Sequence, residues 1–381
     1  MGTNLIPYGH QNIDESDLEA VLKSLKGDFL TTGPLVNLFE KDLSKVTGAS
    51  TLSVSSGTAA LHCAFHAIEL REGDEVITPP ITFIATQATA EMCGASVVFS
   101  DIESETGNLD PNLVEAAITS KTKAIVAVDY AGHPADLDEL QAIASRHNLY
   151  LIEDAAHSFG SLYKDRPIGS IADITTFSFY PTKNITTGEG GAVSSKNSYL
   201  LERARKFARQ GLVRAQNEFL LESDGPWHQE VHEFGLNYRL PDILCALGIS
   251  QLKRLEQFKE TREIIFEKYN SLFSNVPQLT LPIKKNYVNP MWHLYPLRVP
   301  ESKKLRLFHK LKDSGYQTQV NYFPVHLQPV FSKMGYKSED FPNAFDFYKK
   351  EISLPIFADR DQLTDARLEE IAEIVITEVI D

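Results

Sequence analysis

Cysteine is scarce in this chain. Three occur in 381 residues, Cys63, Cys93 and Cys245, widely spaced and without a CxxC pair. An odd, scattered set argues against a disulfide framework and fits a reducing compartment. Long apolar runs are missing as well, and none reaches the ~18 residues that a membrane-spanning helix needs. The opening "MGTNLIPYGHQNIDESD" has neither the basic nor the apolar region of a secretion signal. A basic excess is also lacking. The formal net charge of -14 argues against a nucleic-acid backbone as a general partner, although a local positive site can still hold a small anion. The expectation is a soluble cytoplasmic protein with no nucleic-acid and no membrane partner.

What is present is ordinary globular composition, 43% apolar and 23% charged. At roughly 150 residues per domain the length allows two or three domains, or one large domain with an appendage. Between about residues 50 and 200, short apolar strands alternate with helices: "STLSVSS" then "GTAALHCAFHAIEL", "DEVITPP" then "FIATQATAEMCG", "SVVFSDI" then "NLVEAAIT". "KAIVAVDY", "LYLIEDAAH", "ITTFSF" and "GGAVSS" continue the strand series. Such alternation means βαβ units and a mostly parallel sheet covered on both faces. After Pro241 the texture changes to one long amphipathic helical stretch, "DILCALGISQLKRLEQFKETREIIFEKYNSLF". Short strands ("HLYPLRV", "TQVNY") and two further helices follow. The reading is an α/β fold with a large domain over residues 1–250 and a smaller α+β domain over 251–381. No internal repeat or low-complexity linker is seen.

Three strand ends in the large domain carry unusual polar residues, and in parallel sheets the carboxyl ends of strands converge on one crevice. In "SSGTAAL" a strand stops, Gly57 allows a tight turn and a helix begins at Thr58, leaving free N–H groups for a phosphate. A plain N-cap by Ser56 or Thr58 explains the same residues. In "LYLIEDAAHS", Asp154 stands just past the apolar strand 149–152. A carboxylate there needs a cation or hydrogen bonds; a turn-capping aspartate is the bland alternative. His157 lies three residues on. In "SFYPTKNITTGEGG", Lys183 follows an apolar strand that ends near Ser178. Partial desolvation there lowers its pKa and makes a nucleophilic amine, whereas a single lysine in a loop is more often a surface residue. Together the three ends match the needs of pyridoxal phosphate (PLP): a phosphate cup, an anion for the pyridinium nitrogen and a Schiff-base lysine.

These residues carry a resemblance. The stretches "FLTTGPLVNLFE", "SGTAALH", "TFIAT", "EDAAHSFGS", "SFYPTKNITTGEGG", "GLNYRLPDILCALGISQL" and "YFPVHLQP" resemble the DegT/DnrJ/EryC1/StrS sugar aminotransferases, which are fold-type I PLP enzymes, over nearly the whole chain. The opening "IPYGHQNIDESDLEAVLKSLKGDFLTTGP" is most similar to members that aminate C4 of a UDP-linked 4-keto-6-deoxy-N-acetyl-hexosamine in pseudaminic acid biosynthesis.

The resemblance implies a role for each matching residue. Lys183 holds the cofactor and moves a proton, and Asp154 keeps the ring nitrogen protonated. Phe83 stacks on the ring and His157 lies near its phenolic oxygen. Gly57, Thr58 and Ser178 bind the phosphate. Asn237 reaches the phosphate of a neighbouring subunit, which implies a homodimer. Thr31 and His326 are candidates for the sugar-nucleotide side, as Asn237 is again. The implied substrates are a UDP-keto sugar and an amino acid, glutamate. One departure is Tyr180-Pro181-Thr182 ahead of the lysine, where many members carry a His and a small residue. Relatives that replace the lysine by His are dehydratases; Lys183 favours the transaminase.

The rival readings are a C3 or C4 aminotransferase acting on another UDP- or dTDP-keto sugar, a PLP-dependent sugar dehydratase or lyase, and a non-enzymatic sensor that keeps the fold. Two histidine pairs, His62/His66 and His228/His232, have the i,i+4 spacing of a helical metal site. "HQEVH" lacks the register of HExxH and neither pair has an evident third ligand, so no metal is expected. The run "KRLEQFKETREIIFEK" reads as a solvated helix face with i,i+4 ion pairs.

Overall fold

The computed structural model describes residues 5–380. Twelve helices are named in chain order: α1 (Glu15–Leu25), α2 (Pro34–Thr47), α3 (Gly57–Ala67), α4 (Ala85–Met92), α5 (Pro111–Ala117), α6 (Leu137–His147), α7 (Ser198–Ala208), α8 (Asp242–Leu252), α9 (Leu255–Phe273), α10 (Glu301–Asp313), α11 (Pro342–Lys350) and α12 (Asp365–Ile380). Local chemistry sets many of their ends. Asp14 caps α1 in a reciprocal capping box with Asp17. Asp110 caps α5 ahead of Pro111. Asn148, left-handed at φ 55°, closes α6.

The central sheet has seven strands: β1 (Ser50–Val54), β2 (Glu75–Thr78), β3 (Ser96–Phe99), β4 (Thr122–Val128), β5 (Tyr150–Asp154), β6 (Ile174–Ser178) and β7 (Gly191–Ser195). Their order is β1-β7-β6-β5-β4-β2-β3. Strands β3, β2, β4, β5 and β6 run parallel, and β7 is antiparallel to both β6 and β1. Successive residues face opposite layers. Val76 and Ile152 join one core with Phe65 of α3 and Phe207 of α7. Ile77 and Leu151 join the other with Phe39 of α2 and Leu140 of α6. This is the two-faced α/β sheet that the strand and helix alternation predicts.

A third core lies in the C-terminal part. A two-stranded antiparallel pair, β8 (Tyr295–Arg298) and β9 (Glu351–Leu354), packs with α9, α10 and α12 around Phe266, Tyr269, Leu311 and Val375. Phe266 stacks on Trp292 at 3.7 Å. The expected strand "TQVNY" reduces to one bridge, Gln319 to Ser353. The expected junction at residue 250 falls inside α8.

Two expectations about the long helical stretch need correction. It is broken at Lys253–Arg254, between α8 and α9. There Arg254 turns inward to Asp17 and to Asp14 at 3.1 Å. The charged run is not a solvated face throughout. Arg262 is 2% exposed and donates to the carbonyls of Trp292 (3.1 Å) and Ile356 (3.2 Å). Lys268 and Glu263 pair with Glu369 and Lys284 on other elements. Arg262 therefore ties α9 to the segment that leads into β8. Arg262→Ala should lower stability by about 3 kcal/mol, because two buried carbonyls lose their donor and a cavity remains. A denaturant midpoint equal to wild type would refute that tie.

Candidate active site

The carboxyl ends of β1, β5 and β6 open into one cleft of about 640 Å³, closed on the far side by His293 and the segment 319–322. Its first wall begins where β1 ends. Ser56, extended at φ -167°, caps α3 by accepting the N–H of Ala59 at 3.0 Å. The N-cap reading of Ser56 thus holds. Gly57 and Thr58 are the first two residues of α3, so their N–H groups have no intrahelical acceptor. These donors, at the positive end of the helix, suit an anion. A Cβ on Gly57 would lie 2.8 Å from that of Ser178, so only glycine lets α3 approach β6 this closely. Gly57→Ala should push Ser178 aside, cost about 1–3 kcal/mol and weaken binding of a phosphorylated ligand. Thermal melts with and without PLP would check both effects.

The second wall is Asp154. It is the last residue of β5 rather than a residue beyond it, opposite Val128 of β4 and Thr176 of β6. It is 7% exposed and accepts from Thr86 Oγ1 (2.7 Å) and the Ala156 N–H (3.2 Å). Burial raises its pKa, and these two donors and Lys183 oppose the rise. The next turn brings His157, whose Nε2 lies 3.1 Å from the Tyr322 hydroxyl. Its Nδ1 is buried without a partner. Burial holds its pKa well below the usual histidine range, so the ring is neutral. The His293 ring lies 4.3 Å away.

The third wall is the loop after β6, which folds back on Phe179. The Phe179 carbonyl accepts from the Thr187 N–H (3.0 Å) and Thr186 Oγ1 (3.0 Å). Asn184 is buried and donates to the carbonyls of His157 (2.8 Å) and Phe159 (3.2 Å). The loop is thereby anchored one residue after Lys183, which lines the cleft. Burial lowers the lysine to about 8 from 10.5, opposed by Asp154. No ion pair within 4 Å joins Lys183 to Asp154 among the described residues, although both face the same space. An amine with a lowered pKa in the loop after β6, and a buried carboxylate without a cation at the end of the adjacent β5, face the same cleft. Phe83, 59% exposed, presents an aromatic ring to this space.

Seven sequence-predicted residues therefore meet in one cleft: Gly57, Thr58, Phe83, Asp154, His157, Ser178 and Lys183. Three do not. Thr31 and Asn237 are exposed. Neighbours of both, Thr32 and Arg239, line a separate hollow of about 350 Å³ with Arg209 and Arg214. His326 is 1% exposed and packed among Phe99, Phe341 and Tyr336, off the cleft wall. Sequence reasoning missed Thr86, Asn184, His293 and Tyr322. Thr86 lay within the quoted "TFIAT" and Asn184 directly after the lysine. His293 and Tyr322 come from more than 100 residues downstream and carry no local signal.

The histidine pairs are explained without metal. His62 Nδ1 is 3.1 Å from the Tyr238 hydroxyl and His66 stacks on Phe207 at 4.1 Å. His228 and His232 are not on a helix; they flank Glu230 on a short extended segment and contact its carboxylate at 3.3 and 2.6 Å. No helix among the described residues is long and apolar enough to cross a membrane.

Comparison with known proteins gives the chemistry a family. The model of the DegT/DnrJ/EryC1/StrS aminotransferase family matches residues 11–376. The spore coat polysaccharide biosynthesis protein SpsC of Bacillus subtilis is 39% identical, over 98% of this chain and 97% of its own. A Campylobacter jejuni UDP-4-amino-4,6-dideoxy-N-acetyl-beta-L-altrosamine transaminase is 38% identical over 95% of each. The solved Helicobacter pylori PseC, an aminotransferase involved in the biosynthesis of pseudoaminic acid, superposes with a TM-score of 0.90. It is 32% identical and covers 99% of both chains. Aminotransferases of this family use PLP, and solved structures of this fold carry it in PLP and pyridoxamine forms. The cleft fits that group: a cradle that a Cβ on Gly57 would fill, an amine held near pKa 8, and a buried carboxylate without a cation. The chain belongs to the DegT/DnrJ/EryC1/StrS family and is a PLP-dependent sugar aminotransferase.

Proposed function

We propose that the protein moves an amino group from L-glutamate to C4 of a UDP-linked 4-keto-6-deoxy-N-acetyl-hexosamine. Glutamate leaves as 2-oxoglutarate and the keto sugar as the 4-amino sugar. The observation that carries the reading is the pairing of Lys183 and Asp154 across one cleft. The similarity to the Campylobacter UDP-4-amino-4,6-dideoxy-N-acetyl-beta-L-altrosamine transaminase supports the sugar.

When bound, PLP supplies an aldehyde and an electron-withdrawing ring. Lys183 would hold the aldehyde and, once displaced, would take a proton from the α-carbon of glutamate. A pKa near 8 suits that work at neutral pH. Asp154, held by Thr86 and Ala156, would keep the ring nitrogen protonated. Gly57, Thr58 and Ser178 would bind the phosphate, and Phe83 would cover one face of the ring. His157, kept neutral and oriented by Tyr322, would donate to the phenolic oxygen.

A homodimer is part of the proposal. Leu18, Leu22 and Leu25 of α1, with Phe29 and Leu30 after it, are each at least half exposed. An apolar face of that kind suits burial against a second copy, and exposed Asn237 and Thr31 are free to reach the partner's cleft. The three free cysteines agree with a cytoplasmic setting.

The test supplies PLP, glutamate and a panel of UDP- and dTDP-keto sugars, and follows 2-oxoglutarate and amino-sugar mass. The UDP-4-keto sugar should give one equivalent of each. Sugar consumption without 2-oxoglutarate would replace this reading with a dehydratase or lyase, and preference for a dTDP or 3-keto sugar would move the substrate.

A further inference from the structure

Asp129 directly follows β4 and opens the turn at residues 130–132, and Glu153 is the penultimate residue of β5. Both are 0% exposed. Glu153 lies opposite Ala127, two residues before Asp129, which puts both side chains on the same face of the sheet, and each carboxyl acts on the pKa of the other. The further partners of the two differ. Asp129 Oδ1 accepts the Ala135 N–H at 2.9 Å and Oδ2 accepts Ser158 Oγ at 2.5 Å. Glu153 Oε2 accepts Thr175 Oγ1 at 2.7 Å, while Oε1 has no donor. Around the pair stand Thr175 of β6, Ser158 after β5, Ala135 before α6 and Asp154 of β5. No lysine, arginine or histidine among the described residues hydrogen-bonds to either carboxyl.

Two carboxylates cannot both stay ionised in a dry site without a cation. We infer that Glu153 and Asp129 share one proton, carried on Glu153 Oε1, and that the pair is a fixed single negative charge acting through Asp154 as a positioning element. Two satisfied oxygens mark Asp129 as the anion, and the orphaned Oε1 marks the protonated oxygen. Burial raises both groups, Glu153 the further. The link to Asp154 is short: the Asp129 N–H donates to the Asp154 carbonyl at 3.1 Å, and Glu153 is its chain neighbour. A negative charge behind Asp154 raises the proton affinity of whatever Asp154 faces. This step rests on the role proposed above for Asp154; the shared proton does not.

The variants separate the claims. Glu153→Gln imitates the protonated acid and keeps the charge on Asp129; Asp129→Asn removes the charge. Buried Glu351, raised to about 8, contributes an un-ionised carboxyl stretch of its own at pH 7, so infrared spectra of the holoenzyme are read as wild type minus variant: Glu153→Gln should lose one such stretch and Asp129→Asn none. A wild-type minus Glu153→Gln spectrum without a lost carboxyl stretch overturns the shared proton even if Asp129→Asn does not fold. With ¹⁵N-labelled PLP, the NMR titration midpoint of the ring nitrogen should fall by about one pH unit in Asp129→Asn, tenfold in proton affinity, and stay in place in Glu153→Gln. Equal midpoints in the two variants overturn the coupling while leaving the role of Asp154 intact. A ring nitrogen already deprotonated in wild type at pH 7 overturns both.

Discussion

Replacing Lys183 by alanine is expected to stop turnover and, in the cofactor-free protein, to raise stability. The first effect follows from losing Lys183, the one amine that lines the cleft among the described residues. Positioned proton transfer alone contributes about 10²–10⁴-fold, and the covalent hold on the aldehyde is lost with it, so turnover should fall by about 10⁴-fold or more. The second follows from linkage. The folded chain holds this amine at about 8, below the ordinary 10.5. Between those values the unfolded chain keeps the proton and the folded chain does not, so stability rises with pH across that window. Below about 8 the burial penalty is present in full. Alanine removes it. Discounted for water in the cleft, the gain at pH 7 is about 1–2 kcal/mol, fading by pH 10.5. Turnover with glutamate and a keto sugar, and thermal melts from pH 7 to 10.5, would measure both. Wild-type turnover, or a variant less stable at every pH, would remove Lys183 from this role.

Asp154→Asn should give the second-largest loss. Asn keeps the shape and removes the anion. Both present partners, Thr86 Oγ1 and the Ala156 N–H, are donors, so the new amide N–H meets a donor instead of an acceptor. Without the anion the ring nitrogen loses its proton at neutral pH. Removing one preorganised electrostatic partner costs about 10²–10³ in rate, and that is the expected drop in kcat, with KM for the sugar little changed. A kcat within a few-fold of wild type would mean that the ring needs no partner at Asp154. Stability should respond differently. The carboxyl is raised by burial above its ordinary 3.8, so the folded chain loses stability as pH climbs past 3.8, and the variant should lack that slope.

Much of this was legible in the residues because the signals were local. The alternation of apolar strands with helices announced a covered parallel sheet, since a strand buried on both faces cannot alternate polar and apolar positions. Gly57, Asp154 and Lys183 stood at strand ends, and strand ends of such a sheet share one edge. The failures were non-local. The run around Arg262 looked solvated because charge in a helix usually is, but two carbonyls 30 and 94 residues downstream accept hydrogen bonds from its guanidinium. The surroundings of His326 are non-local too: its Pro-rich loop packs it against Phe99 and Phe341. "HQEVH" had helical spacing, while its pairing with residues 212–213 makes it extended.

Sequence alone determined the kind of chemistry: an amine, an acid and a glycine turn, each in a segment whose own pattern says where it ends. Only the tertiary structure decided what surrounds them. Asn184 locks the lysine loop, Tyr322 and His293 close the cleft, and Asp129 meets Glu153 behind its floor. Those contacts depend on packing between segments far apart in the chain, and side-chain periodicity within one segment carries no information about which distant segment it will touch.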